Sequence, residues 1–223
     1  MLWLIMDNPA DGLPLFFMLV LAISVHEMSH AWMALKCGDD TAARLGRLTI
    51  NPVVHFDPMG IAFIMFATFG WGKPVPFNPL NLRDVRRDSM LIALAGPASN
   101  FIQAFVLAIL FRILRIPAVL GAMLSLPGGE EIVIAAAAVF KWGVYINLLL
   151  AFFNLIPLYP LDGEKILAWL LPYEQARKLE EFRQHSMMIL FLLIGMGFFF
   201  GIHVLSGYFS WTSIPITNFL LGG

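Results

Sequence analysis

Long apolar segments alternate with short polar ones along most of the chain. At about 1.5 Å per residue, a helix of roughly 20 apolar residues crosses the hydrocarbon core of a membrane. The pattern therefore predicts an all-α polytopic membrane protein with about four transmembrane helices. We expect these helices at residues 13–36, 89–111, 132–155 and 186–207.

The segment between the first two predicted spans has a different pattern. Residues 44–50 alternate between polar and apolar side chains, which indicates a short strand. Residues 60–72 are apolar but too short to cross, so a re-entrant segment is favoured. Residues 73–79 contain three prolines, which forbid a helix and indicate an extended edge. Together these segments predict a small membrane-associated β-hairpin and re-entrant region.

The third predicted span ends in a break. Pro157 and Pro160 lie three residues apart and unwind the helix close to membrane depth. Unwound backbone is tolerated at that depth only where it lines a polar cavity. The charged stretch 164–185 is typical of a loop with a short amphipathic helix, and the uncharged tail 208–223 is typical of an interfacial segment. We expect a single domain over 1–223, with a core at 13–171 and a C-terminal helix and tail at 186–223.

The composition agrees with a membrane protein. Hydrophobic residues make up 59% of the chain and charged residues 13%, and the mean hydropathy is +0.79. The net charge of −1 gives no sign of a nucleic-acid partner. The single cysteine, Cys37, excludes a disulfide within the chain.

The basic residues indicate an orientation. Of the 14 lysines and arginines, eleven flank the segment between the first two spans or follow the third span. Arg112 and Arg115 fall in the opposite loop, and Lys141, with Trp142 and Tyr145, is typical of an interfacial belt. The positive-inside rule then predicts an integral multi-pass protein of the cell (inner) membrane, with the larger basic set in the cytoplasm.

The first predicted span carries the pattern His26-Glu27-x-x-His30. On a helix, residues four apart share one face, so both imidazoles can bind one zinc ion. Glu27 lies about 100° round the helix, where it can take a proton from a metal-bound water. A hydrogen-bonded core cluster is the alternative, but ionisable groups within an apolar span mark function by default. The pattern predicts a metal-dependent hydrolase with one zinc ion per chain and its active site toward the cytoplasmic side.

A hydrolytic zinc site needs a third protein ligand and an open position. Asp162 is the only acid between Ile132 and Gly163, and it follows the helix break. The predicted topology puts it at the depth of the two histidines. Cys37 is a weaker candidate because it lies near the end of the first span. On its own Asp162 is typical of a helix cap, but beside the histidine pair it is the favoured third ligand.

The two motifs resemble those of one family. His-Glu-x-x-His, followed by Asn-x-x-Pro-x-x-Pro-Leu-Asp-Gly at 154–163, is similar to the site-2 protease family of intramembrane zinc metalloproteases. Similar positions between the motifs are Asn51-Pro52, His55, Asp57-Pro58, Gly60, Gly70-Trp71, Lys73 to Pro76, Asn78-Pro79, Gly96-Pro97 and Asn100. The resemblance covers residues 20–170 and corresponds to a compact form, for which we expect neither a PDZ domain nor a CBS pair.

The resemblance implies a three-helix core that carries out regulated proteolysis of transmembrane segments. The implied zinc ligands are His26, His30 and Asp162, and the implied catalytic residues are Glu27, as general base, and Asn154, near the scissile carbonyl. Supporting roles are expected for His55, Asn100 and Gly163. The expected partners are a transmembrane protein or peptide substrate and the lipid bilayer. A homo-oligomer or a separate regulatory protein is left open.

The extended edge offers a place for substrate. A helical substrate hides its carbonyls in hydrogen bonds, and after unwinding it can pair with this edge as an added strand. The residues expected to contact substrate are Lys73, Pro74, Val75, Pro76 and Phe77, with Pro157 and Pro160 at the broken helix. The alternative is that the edge pairs only with the strand at 44–50 and is purely structural.

Two other functions are weighed against proteolysis. A metal-ion transporter that uses the same ionisable groups would show repeated halves and several intramembrane acids, and the sequence has neither. An inactive, protease-like membrane binding protein is disfavoured because the sets of ligands and base are complete.

Overall fold

The computed structural model describes residues 1–67, 70–201 and 204–223. Within these ranges the chain is helical and contains no β-strand. The helices are α1 Leu2–Asp7, α2 Pro9–Cys37, α3 Thr41–Arg44, α4 Pro58–Ala67, α5 Val85–Leu114, α6 Pro117–Leu124, α7 Gly129–Asn154, α8 Asp162–Leu170, α9 Tyr173–Glu181, α10 Arg183–Phe200, α11 Val204–Trp211 and α12 Ser213–Leu221. Single 3₁₀ turns lie at Pro52–Val54 and Pro79–Asn81.

Three helices are long and apolar enough to cross a membrane. They are α2, α5 and α7, with 29, 30 and 26 residues, and they pack against one another. These helices confirm three of the predicted spans. The fourth predicted span, 186–207, includes residues 202 and 203, which lie outside the described residues. α10 and α11 cover the rest of it, and this span stays a prediction.

Local sequence accounts for the ends of these helices. The side chain of Asp84 caps α5 by accepting hydrogen bonds from the backbone N–H groups of Arg86 and Arg87 at 3.1 and 3.0 Å. α2 ends at Gly38, whose φ of 109° lies in the left-handed region that favours glycine. Small residues let the helices approach closely. Fully buried examples are Ala22 and Ala31 on α2, Ala93 and Ala104 on α5, and Ala151 on α7.

The predicted strand at 44–50 is wrong. Thr41–Arg44 form the helical turn α3, and Gly46 has a φ of 71°, so the chain turns where a strand would run straight. Arg47 is buried and its side chain donates to backbone carbonyls, whereas Leu45 and Ile50 are exposed. The alternation therefore reflects one inward arginine in a loop, with apolar neighbours on the outer surface.

The predicted β-hairpin is reduced to one contact in the described ranges. An isolated antiparallel bridge joins Phe56 to Gly72, and the N–H of Lys73 donates to the carbonyl of His55 at 2.6 Å. Residues 72–78, which we name the strap, contain no helix, as the prolines predicted. The strap does not pair with a strand at 44–50.

The chain before the strap turns back on itself. α4 has only 10 residues, too few to cross a membrane. Gly60 and Gly70 make the close return possible, because a Cβ at Gly60 would lie 2.1 Å from the carbonyl oxygen of Trp71. This path suits a re-entrant segment, although residues 68 and 69 of the predicted segment 60–72 lie outside the described residues.

After α7 the chain breaks, as its two prolines predicted, and α8 begins at Asp162. α8 and α9 lie in the charged stretch that was predicted to carry a short amphipathic helix. The tail packs on the long helices, since α12 contacts α5 and α7. The guanidinium of Arg112 donates to the carbonyls of Leu220 and Phe219 at 2.8 and 2.7 Å, which satisfies the end of α12.

Candidate metal centre

Two histidines of α2 and the first residue of α8 meet in the interior. His26 and His30 are 5% and 8% exposed, and Asp162 is 9% exposed. The two Nε2 atoms lie 3.0 Å apart, and the Oδ2 atom of Asp162 lies 3.2 Å from His26 Nε2 and 3.3 Å from His30 Nε2. The break after α7 thus brings a distant carboxylate to the pair on α2.

The cluster fits a zinc ion. Around tetrahedral zinc with bonds of 2.0–2.1 Å, ligand atoms lie about 3.3 Å apart, close to the three separations seen here. The Oδ2 atom of Asp162 is buried and accepts no hydrogen bond within the described ranges. A buried carboxylate oxygen without a donor is costly, and a bound cation would remove that cost.

Hydrogen bonds fix the orientation of both imidazoles. His30 Nδ1 lies 2.6 Å from the carbonyl oxygen of Ile92, which can only accept, so Nδ1 carries the hydrogen. His26 Nδ1 lies 2.6 Å from Asn100 Oδ1. Because that oxygen is assigned as an acceptor, Nδ1 of His26 also carries the hydrogen. Each Nε2 atom therefore keeps its lone pair directed at the cluster, as metal binding requires.

A chain of buried amides continues from His26. The Nδ2 atom of Asn100 donates to Asn147 Oδ1 at 2.9 Å, and Asn147 Nδ2 donates to the carbonyl of Gly143 at 2.9 Å. This chain joins α2, α5 and α7 at the level of the cluster. Asn147 was missed in the sequence analysis, although an amide within an apolar span was a usable signal.

Gly96 lets α5 approach the cluster. A Cβ atom at this position would lie 2.5 Å from atoms of both imidazoles, closer than any real contact. Gly163 has a similar role beside Asp162, since its Cβ would lie 2.3 Å from the carbonyl oxygen of Leu155. Both glycines therefore set the distance between elements that carry the cluster.

A cavity of about 300 Å³ opens onto the cluster. Glu27 lines it, and Gly72 of the strap faces that carboxylate, since a Cβ there would lie 3.5 Å from Glu27 Oε1. Of the residues predicted to contact substrate, Pro74, Val75, Phe77 and Pro160 line this cavity, whereas Lys73, Pro76 and Pro157 do not.

Of the remaining predicted residues, Asn154 lines this cavity and His55 does not. The Nδ2 atom of Asn154 donates to the carbonyl of Leu150 at 3.0 Å. His55 is fully buried, with Nε2 lying 2.6 Å from the carbonyl of Thr49. Burial lowers the pKa of His55, which favours a neutral imidazole. His55 therefore supports the loop that leads to the strap.

A buried cluster of this chemistry among helices of membrane-spanning length places the protein among membrane metallohydrolases. Comparison with known proteins agrees. The model of "Peptidase family M50" matches residues 115–197. "Putative zinc metalloprotease YwhC" of Bacillus subtilis is 35% identical over 179 residues, which cover 78% of this chain and 77% of that protein. No solved structure matches the chain.

Two further relatives have similar names. "Putative zinc metalloprotease Rip2" of Mycolicibacterium smegmatis is 27% identical over 86% of this chain and 73% of its own length. "Putative zinc metalloprotease MJ0611" of Methanocaldococcus jannaschii is 30% identical over 70% of this chain and 74% of its own length. The chain belongs to peptidase family M50, the site-2 protease family, and is a membrane protein of the zinc-protease type.

Proposed function

We propose that this protein is an intramembrane zinc metalloprotease that hydrolyses peptide bonds in or near transmembrane segments of other membrane proteins. One observation carries the proposal: the His26, His30 and Asp162 cluster shares a cavity with Glu27 and the strap. Membership of peptidase family M50 supports the reaction class.

The proposed ligands of a single zinc ion are His26, His30 and Asp162. When bound, zinc supplies a Lewis acid and an acidified water. Glu27 follows His26 on α2, and its carboxylate faces the same cavity. We assign it the role of general base, which takes a proton from the attacking water and returns it to the leaving amine.

Asn154 is proposed to hold the scissile carbonyl. One hydrogen of its Nδ2 atom is used by the carbonyl of Leu150, and an amide nitrogen has a second hydrogen. A donor directed at the carbonyl oxygen would stabilise the negative charge that develops there.

The strap is proposed to bind substrate by strand addition. The backbone N–H groups of Val75 and Phe77 donate no hydrogen bond to any residue in the described ranges. Lipid cannot supply acceptors for such groups, but an unwound substrate segment can. The proposed setting is regulated proteolysis in the cell membrane, with the cavity toward the cytoplasm.

The test uses purified protein and a panel of single-span membrane proteins. We expect one zinc per chain, cleavage that a chelator abolishes, and a Glu27→Gln variant that keeps zinc but has no cleavage activity. Substitution of His26, His30 or Asp162 by Ala should lower the zinc content. Full cleavage by Glu27→Gln would contradict the mechanism, and chelator-sensitive metal uptake without cleavage would favour a transporter.

A further inference from the structure

Two buried charged side chains hold the strap from the loop that follows α2. Asp39 is 0% exposed, and its Oδ2 atom accepts the backbone N–H of Asn78 at 2.7 Å. Its Oδ1 atom accepts the side chain of Asn81 at 2.8 Å. The carboxylate therefore fixes the C-terminal end of the strap and the turn after it.

Arg47 holds the other end. It is 4% exposed, and its guanidinium donates to the carbonyl of Pro74 at 3.2 Å and also to the carbonyl of Lys73. In the described ranges no carboxylate forms an ion pair with it, so its fork of N–H groups is directed at backbone carbonyls. A buried guanidinium is costly to desolvate, and here the strap carbonyls and the charge of Glu27 offset that cost.

The free part of the strap lies between these two contacts. Val75 and Phe77, whose amides donate no hydrogen bond within the described part of the chain, line the cavity with Glu27 and the cluster. A substrate segment paired with these amides would take its register from them. A shift of one residue would present a different peptide bond to Glu27.

We propose that Asp39 and Arg47 are positioning residues that fix the register of the strap and thereby select the substrate bond to be cleaved. This inference rests on the proposed function. It assigns bond selection to a pair of charges outside the metal centre.

The variants are Arg47→Met, Asp39→Asn and the conservative Arg47→Lys, each in the full chain with zinc. For Arg47→Met and Asp39→Asn we expect unchanged zinc content and a KM raised at least about tenfold, because each variant loses at least one charge-assisted hydrogen bond. Mass spectrometry of the products should show cleavage at neighbouring bonds as well as at the wild-type bond. Arg47→Lys keeps the charge but not the fork, and should restore the wild-type bond only in part.

The same loop offers matched controls. Arg44 is exposed and Asp40 is partly exposed, and the two side chains pair with each other, with Arg44 Nη2 lying 2.7 Å from Asp40 Oδ2. Arg44→Met and Asp40→Asn remove the same charges without touching the strap, and should leave KM and the cleaved bond unchanged.

A second readout does not depend on turnover. A photocrosslinker at Val75 in the Glu27→Gln background should capture the substrate at one position, and adding Arg47→Met should spread capture over several positions. Variants that bind zinc, keep the wild-type KM and cut the same single bond would overturn the inference. A wild-type protein that cleaves nothing in the panel would instead defeat the proposed function.

Discussion

At the scale of single residues, Gly96 decides how closely α5 approaches the two histidines. In Gly96→Ala the new methyl group would lie 2.5 Å from both imidazoles, so the rings must move away from the cluster. We expect zinc affinity to fall by at least about tenfold, the usual result of disturbing the orientation of metal ligands. Metal titration of the purified protein measures this.

Gly121→Ala is the control for that substitution, because a Cβ at Gly121 meets open space on a helix. It should leave zinc binding unchanged. Equal zinc affinity in the two alanine variants would show that the imidazoles can move away from the new methyl group without weakening zinc binding.

Asp39 makes the stability of the fold depend on pH in a defined direction. Burial by itself raises the pKa of Asp39, but hydrogen bonds from Thr41, Asn81 and the backbone of Asn78 outweigh it and hold the pKa below its ordinary value. Because the folded-state pKa is lowered, the carboxylate stabilises the fold above the unfolded-state pKa of about 3.9. That stabilisation is lost as the pH falls toward the folded-state value.

Asp39→Asn should therefore unfold at a lower temperature than wild type at pH 7. The difference should shrink as the pH falls below about 4, because the wild-type carboxylate is then protonated. Thermal unfolding in detergent from pH 7 to pH 3 checks this, with Asp40→Asn as the exposed control. A difference that is constant over this range would assign the effect to shape rather than to charge.

The roles of some of these residues could be predicted from the sequence, and the roles of others could not. The spacing of His26 and His30 is a local helical pattern, so their shared face could be predicted without the fold. Asp39 and Arg47 act through strap residues 26 to 39 positions away, and no local pattern records such contacts. In the sequence Arg47 counted as a positive charge for orientation and as a polar position of the predicted strand at 44–50.

At the scale of elements, too, features set by local sequence were predicted correctly, and one that depends on distant contacts was predicted wrongly. The break after α7 was predicted because proline removes hydrogen bonds wherever it lies in a helix. The strand at 44–50 was wrong because alternation says which side chains share a face, but not whether a partner strand is present. Arg47 made the decisive contact through its side chain.

The end of α12 is held in part by Arg112 of α5. Arg112→Met would remove the guanidinium donor from the carbonyls of Phe219 and Leu220, at a cost of about 1–3 kcal/mol. Among the described residues, the carbonyl of Phe219 would then keep only the N–H of Gly222, at 3.3 Å. We expect a lower unfolding temperature with unchanged zinc content. Arg115→Met should cost less, because that side chain makes one longer bond of 3.3 Å to Leu221. Equal losses in the two variants would mean that charge, not helix capping, is responsible.

At the scale of the whole molecule, contacts at the two ends of α2 show how α2 and α7 are directed relative to each other. The indole of Trp142 donates to Asp11 at 2.7 Å near the start of α2, and His30 meets Asp162 after the end of α7. The two helices therefore run in the same direction. From Asp11 to His26 the helix rises about 22 Å. With Trp142 at one interface, as the sequence predicts, we expect the centre to lie nearer the opposite face of a core of about 30 Å.

That face should be cytoplasmic, on the distribution of basic residues. A cysteine at Gln175, with Cys37 replaced by serine, should react with a membrane-impermeant thiol reagent only after the cells are opened. A cysteine at Asp7, in the same background, should react in intact cells. The reverse result would overturn the orientation while leaving the metal centre intact.

Asp162 lies about 130 positions after His30 in the sequence, and this separation has a consequence for synthesis. The ribosome delivers both histidines early, but two imidazoles alone form an incomplete metal site. The third ligand exists only after α7 has been inserted and α8 translated. On the proposed ligand set, we expect a nascent chain in the translocon to be inert as a hydrolase beside other newly made membrane proteins until its three long helices are assembled.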